Sequence, residues 1–140
     1  MTDWRIRDAT PEDVEAVLDL WRRADATESS TDSPEYLAQL VRGWPGALVL
    51  AVDAGRVVGS VIAGFDGWRG KVYRLAVNPD YRRRGVGRAL LREAEARLRA
   101  QGARRVHANV ESDHPLAVAF WQSTSYAHVP RIHIYSGNLE

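Results

Sequence analysis

Between Tyr73 and Leu91 the chain reads Tyr-Arg-Leu-Ala-Val-Asn-Pro-Asp-Tyr-Arg-Arg-Arg-Gly-Val-Gly-Arg-Ala-Leu-Leu. Gly85 and Gly87, one residue apart at the start of a helical pattern, let successive backbone N–H groups curve around an anion with no Cβ in the way. The helix behind them adds its positive N-terminal end. From Arg82 to Arg92 there are five arginines and no acid. A helix without a ligand instead favours acids in its first turn, by roughly 0.3–1 kcal/mol per charge. The combination predicts a bound polyanion, set against a solvated basic helix start or a nucleic-acid patch. A Walker loop needs Gly-Lys-Ser/Thr, whereas Gly87 is followed by Arg88-Ala89. A dinucleotide fingerprint needs Gly or Ala where this chain has Leu90. Neither nucleotide motif fits.

A second set of reactive side chains lies further on. His107, Asn109 and Glu111 alternate with Val106, Ala108 and Val110, so on a strand they share one face. They read either as a solvent-facing polar row or as the wall of a cleft, with Glu111 or His107 as general base. Acids at Glu28, Asp32, Asp66, Glu111 and Asp113 suit a cationic amine. His107, His114, His128 and His133 form no i,i+4 pair, and the chain has no cysteine; no metal site is expected. The same absence excludes disulfides and a thiol nucleophile. Phe65–Trp68 reads as a hairpin tip, Trp4 and Trp21 as core, and Glu28–Asp32 as a mobile loop.

The elements that must position these residues follow from periodicity. Trp4–Arg7 alternates as a strand. Thr10-Pro11-Glu12-Asp13 caps a helix running to about Arg23 on Val14, Val17, Leu18 and Trp21. Ser33-Pro34-Glu35 opens a second short helix. Ala47–Val52 and Val57–Gly64 are strands joined by the hairpin signal Asp53-Ala54-Gly55-Arg56. Val72–Val77 is a strand that Asn78-Pro79 stops. Val86–Gln101 is a helix with the stripe Leu90, Leu91, Ala94 and Leu98, i,i+4 pairs Glu93–Arg97 and Glu95–Arg99, and Gly102 as its end. A strand at Arg105–Val110, a short helix at Pro115–Ser123 and a final strand at Val129–Tyr135 complete the order β-α-α-β-β-β-α-β-α-β. That order predicts an α/β fold with a mixed sheet and helices on both faces.

The 140 residues, 45% hydrophobic and 26% charged, suit one globular domain spanning 1–140. A net charge of +1 gives no global field toward nucleic acid or membrane, and 18 of the 19 basic residues are Arg, with Lys71 alone. The longest apolar run, Ala47–Val52, is far below the roughly 18 residues of a membrane span. With no signal-peptide pattern at the N-terminus, the expected location is cytoplasmic.

The run Arg82-x-x-Gly85-x-Gly87, after a Leu-Ala-Val strand ending in Asn-Pro, resembles the pyrophosphate loop of the GNAT superfamily of N-acetyltransferases. In element order the resemblance extends from Trp4 to about Tyr126. It implies that backbone groups of Leu75, Ala76 and Val77 bind a pantetheine arm. Amides from Arg83, Arg84, Gly85, Val86, Gly87 and Arg88 would wrap the pyrophosphate of acetyl-CoA, with His114 contacting the cofactor where relatives often carry Asn. It also implies that the strands at Val72–Val77 and Arg105–Val110 splay apart to admit the cofactor. The chain departs from the pattern at Trp121, where relatives often have a Tyr acid, since an indole N–H cannot protonate a thiolate. Asn109 and Lys71 stand where some relatives place a Glu base, and Ser125 replaces the usual Gly. The expected activity is transfer of an acetyl group to a primary amine of a small molecule or protein, with no nucleic acid, membrane or metal involved. The alternative is a non-catalytic acyl-CoA-binding module; RNA binding through Arg82–Arg84 lacks any aromatic platform. Homodimer formation fits the same resemblance.

Overall fold

The computed structural model describes residues 3–139 as two compact units that divide between Ala108 and Asn109. The first holds β1 (Arg5–Asp8), a 3-10 turn (Pro11–Asp13), α1 (Val14–Arg23), α2 (Pro34–Gly43), β2 (Leu48–Asp53), β3 (Arg56–Phe65), β4 (Gly70–Val77), a 3-10 turn (Pro79–Tyr81), α3 (Val86–Gln101) and β5 (Val106–Ala108). The second holds α4 (Pro115–Gln122). The strands form one sheet in the order β1-β2-β3-β4-β5, antiparallel through β4 and parallel between β4 and β5. The mixed α/β fold expected from the residues is therefore present.

Which helix covers which face follows from alternation along β3. Ser60 accepts a hydrogen bond from Trp21 Nε1 at 2.9 Å, so its face meets α1. A Cβ on the neighbouring Gly59 would come within 2.8 Å of Val86 Cγ1 and 2.9 Å of Leu90 Cδ1, so that face meets α3. Apolar positions of α1 and α2, among them Val17, Leu18, Trp21 and Leu37, close over Leu48, Leu50 and Ala76. On the other face, Leu90 and Leu98 of α3 are fully buried. Helix α3 ends as its sequence requires, with Gly102 at φ 107° and the Gly102 and Ala103 amides donating to Arg99 and Leu98. Arg97, paired within the helix with Glu93 at 2.9 Å, ties α3 to the rest of the unit through Asp8 at 2.5 Å and the Gly46 carbonyl at 2.9 Å.

The β2–β3 turn places both Ala54 (φ 48°) and Gly55 (φ 80°) in the left-handed region, the type I′ geometry that suits strand twist. At the β3–β4 turn Asp66 accepts from the Trp68 and Arg69 amides, both at 2.8 Å. Phe65–Trp68 is thus a hairpin tip.

Three expectations change. Val129–Tyr135 is not a strand: the Ile132 amide donates to the Val129 carbonyl at 3.2 Å, closing a turn around Pro130, and Ile132, Ile134 and Tyr135 are exposed. Alternation marks a face but does not provide a partner, and Pro130 has no amide to give to a ladder. The strand expected at Arg105–Val110 shortens to Val106–Ala108, so the polar row of His107, Asn109 and Glu111 does not extend along one strand. Trp4 is only half-buried, whereas Trp21 lies in the core as expected.

The start of α1 also carries a pH-dependent clamp. Arg7 Nη1 and Nη2 donate to the two oxygens of Asp13 at 2.7 and 2.9 Å, and the Thr10 amide donates to the same carboxylate at 2.8 Å. The Arg7 hydrogen bonds, outweighing partial burial, hold the Asp13 carboxyl below its ordinary range. In acid the unfolded chain binds this proton first. The stabilisation is therefore complete above the unfolded value of about 3.9 and disappears as pH falls through the lower folded value. Asp13→Asn should lower Tm at pH 7, with the gap to the parent closing in strong acid. Thermal melts at both pH values check this, and a gap independent of pH contradicts it.

Candidate functional site

The segment from Tyr73 to Arg88 is organised by a bulge in β4. Ser60 pairs with Ala76 and Ile62 with Tyr73, so Val61 alone stands opposite Arg74 and Leu75. The extra residue lets both Tyr73 and Ala76 face the α1 side, which an unbroken alternation forbids. Arg74 adopts φ 51°, a left-handed conformation that costs a non-glycine residue about 1–2 kcal/mol. Its carbonyl accepts from Ser60 Oγ at 2.8 Å. Its guanidinium donates to Asp32 Oδ2 at 2.6 Å and to the Thr27 carbonyl at 2.9 Å, and lies 4.9 Å from the Trp21 ring centre. The Glu28–Asp32 loop, expected to be mobile, is thereby tethered to β4, and Asp32 also accepts from the Ser29 amide at 3.1 Å.

Beyond the bulge β4 keeps its pairing with β3 as far as Val77, but its ladder with β5 stops at Val72 and Ala108. Among the described residues no strand pairs with the β5 side of Leu75, Ala76 and Val77. Bulges commonly end pairing in this way, and β5 itself ends where the ladder does, at Ala108.

Asn78 then turns the chain. It is buried, its amide donates to Val58 and its side chain accepts from the Asp80 amide at 2.9 Å. Tyr81 anchors the next turn by donating its hydroxyl to Asp53 Oδ2 at the end of β2. That bond, with burial second, raises the Tyr81 hydroxyl above its usual range, so it stays protonated. Arg84 lies 4.8 Å above the Tyr81 ring. The loop that follows is exposed from Arg83 to Gly85 and contains two left-handed residues, Arg83 at φ 64° and Gly85 at φ 82°. Gly85 is the N-cap of α3, contributes no side-chain cap, and the first turn carries no acid. The start of α3 thus lies beside Arg83, Arg84 and Arg88 with no acid in its first turn, an arrangement suited to an anion.

His107 sits in β5 opposite Lys71. Val106 faces α3, where its Cγ2 lies 3.3 Å from the position of a Gly70 Cβ, so His107 takes the opposite side, that of Lys71 and Tyr73. Partial burial, together with the positive charges of Arg69, Arg105 and Lys71, lowers its pKa and keeps it neutral.

The second unit carries the other residues singled out in the sequence. The Glu111 carbonyl accepts from the His114 amide at 3.1 Å in the turn before α4. His114 is the N-cap of α4, its Nδ1 accepting from the Ala117 amide at 3.2 Å. Trp121 packs edge-on against Phe120 and Tyr126, with ring centres 5.4 and 5.0 Å away. Sequence reasoning singles out the glycine-arginine loop but not the side chains that brace the backbone before it. Neither Arg74 nor the Tyr81–Asp53 bond has a signature in local spacing.

Comparison with known proteins adds four findings. The acetyltransferase (GNAT) family profile matches residues 14–126. "Acetyltransferase ECA0875" of Pectobacterium atrosepticum is 34% identical over 121 residues, covering 86% of each chain. Among solved structures, Ard1 from Thermoplasma volcanium is similar with a TM-score of 0.79 at 26% identity, covering 90% of this chain and 84% of its own. PaiA N-acetyltransferase from Thermoplasma acidophilum, solved in complex with coenzyme A, shares the fold with a TM-score of 0.75 at 19% identity, covering 86% and 87%.

Proposed function

Because the chain belongs to the GNAT family of acetyltransferases, we propose that it transfers the acetyl group of acetyl-CoA to a primary amine. The observation that carries this reading is the unpaired edge of β4 leading into an acid-free, glycine-started α3. The edge suits the amide groups of a pantetheine arm, and the helix start suits a pyrophosphate. The residues fit the group. Leu75, Ala76 and Val77 would hold the arm by backbone hydrogen bonds, the amides from Arg83 to Arg88 would hold the phosphates, and His114 would contact the cofactor. Acetyl-CoA supplies a thioester; the nitrogen of a neutral primary amine forms the new C–N bond as the C–S bond breaks, CoA leaves as its thiolate, and the amine gives up one proton. No covalent enzyme intermediate is required, since the chain offers no cysteine and no serine in a nucleophile motif.

Removal of that proton falls to His107, which is kept neutral, or to Glu111, either of them acting through water. The negative charge developing on the acetyl oxygen is met by a backbone amide of β4. The whole of 1–140 is read as one catalytic domain acting in the cytoplasm.

His107 as base makes a specific expectation. Activity should rise through an acid limb placed below the ordinary histidine range of about 6.5, because the folded environment lowers its pKa. His107→Gln should remove that limb and cost roughly 10²-fold or more in kcat. A pH–rate profile with the limb unchanged in the variant transfers the role to Glu111.

The test of the function itself is release of free thiol from acetyl-CoA across a panel of primary amines, including peptides with free N-termini, lysine, polyamines and aminoglycosides. Turnover with at least one amine is the expected result. Tight CoA binding with no turnover on any amine would make the chain an acyl-CoA-binding module.

A further inference from the structure

Arg74 is the one arginine whose backbone and side chain are both tied into the bulge of β4. It is a left-handed, non-glycine residue at a bulge, next to the strand edge proposed to hold the acyl arm. Strain of this kind persists only where the surroundings over-determine it. Here they do so from two directions. From below, Trp21 Nε1 donates to Ser60 Oγ at 2.9 Å, and Ser60 Oγ donates to the Arg74 carbonyl at 2.8 Å. From above, Asp32 and the Thr27 carbonyl hold the guanidinium at 2.6 and 2.9 Å, over the Trp21 ring. Ser60 is fully buried, and the Arg74–Asp32 pair is shielded, with 18% and 10% of the two side chains exposed. Such a charge-assisted bond is poorly screened.

The Ser60 bond fixes where the Arg74 carbonyl points. Since the peptide unit is planar, it also fixes the opposite direction of the Leu75 amide. The Asp32 and Thr27 bonds stop the residue from relaxing into ordinary extended backbone, which would erase the bulge and turn that amide.

We propose that Arg74 is a positioning residue for acetyl transfer: through Ser60, Asp32 and Thr27 it sets the direction of the β4 amides that meet the acetyl carbonyl. This rests on the acetyl-CoA reading above. It also makes the tether of the 24–33 loop part of the same device, so that release of Asp32 loosens the loop and misaligns the amides together.

Isotope-edited infrared spectroscopy of bound acetyl-CoA, labelled with 13C at the thioester carbonyl, tests this without any knowledge of the acceptor. In the parent chain the carbonyl stretch should fall below that of free acetyl-CoA, as hydrogen bonding from a backbone amide requires. Arg74→Gly accepts the left-handed conformation without a Cβ, so the bulge remains sterically allowed and Ser60 can still bond the carbonyl, while the side-chain tethers to Asp32 and Thr27 are lost. At least half of the frequency shift should disappear, with the Kd for CoA within threefold of the parent. Asp32→Asn keeps Arg74 and removes only the charge, and should give a smaller loss in the same direction. With an accepted amine, kcat should fall about tenfold in Arg74→Gly while KM for acetyl-CoA stays level. A frequency and kcat unchanged in both variants overturn the proposal and leave Arg74 a fold residue. Failure of the parent chain to bind acetyl-CoA overturns the cofactor reading, and this proposal with it; binding with an Arg74-independent frequency overturns this proposal alone.

Discussion

Gly87→Val should abolish measurable binding of CoA in a chain that remains folded. Gly87 lies in the first turn of α3, where amides have no intrahelical partner and the proposed pyrophosphate would bind. A β-branched side chain there adds two methyl groups beside the proposed pyrophosphate site. A helical valine is otherwise tolerated, at a cost of less than about 1 kcal/mol, so the fold survives. Loss of the phosphate cradle should cost at least about 1.4 kcal/mol, a factor of ten in Kd. Calorimetric titration with CoA checks it, alongside a far-ultraviolet dichroism spectrum to confirm folding. Affinity within threefold of the parent removes the loop from the site.

The largest effect on stability is expected at Trp21. Its ring is 4% exposed and packs in the cluster that α1 and α2 build over the sheet. Truncation of a buried aromatic to Ala costs about 3–5 kcal/mol. For a chain of this length each kcal/mol lowers Tm by roughly 3–5 °C, so Trp21→Ala should melt about 10–20 °C earlier. Trp21→Phe keeps much of the packing but takes the donor from Ser60, and should fall in between, with a loss of about 1–3 kcal/mol. Thermal melts of both variants decide this. Trp21→Phe melting with the parent would mean that the indole N–H contributes nothing, and equal Tm values for the two variants would mean that the retained ring packing contributes nothing.

These two sites differ in how far they can be read from the residues. The proposed phosphate loop can be read from the residues because its chemistry is local: two glycines, five arginines and a missing acid all fall between Arg82 and Arg92. Helix α3 is legible for the same reason, its apolar stripe and Gly102 stop being set by spacing alone. Trp21 is recognisable as core from helical periodicity, yet its hydrogen bond to Ser60 joins residues 39 positions apart. The Arg74–Asp32 pair spans 42 positions, and the Tyr81–Asp53 bond spans 28. Such partners depend on sheet register, and register here includes a bulge that period-two reasoning does not anticipate. The bulge also explains the shortened β5, since the ladder with β4 ends two residues before Arg74. Val129–Tyr135 fails from the opposite cause: a local pattern is present, but the turn at Pro130 interrupts it and no partner strand receives it.

Thermal melting in the presence of acetyl-CoA, CoA, ATP and NAD, each at the same concentration, tests the central claim most directly. Only a ligand of the native state raises Tm, by an amount set by concentration over Kd. Acetyl-CoA and CoA should both raise Tm, while ATP and NAD leave it near that of the protein alone. No shift with acetyl-CoA, or a larger shift with ATP or NAD, would contradict the assignment of this loop to coenzyme A.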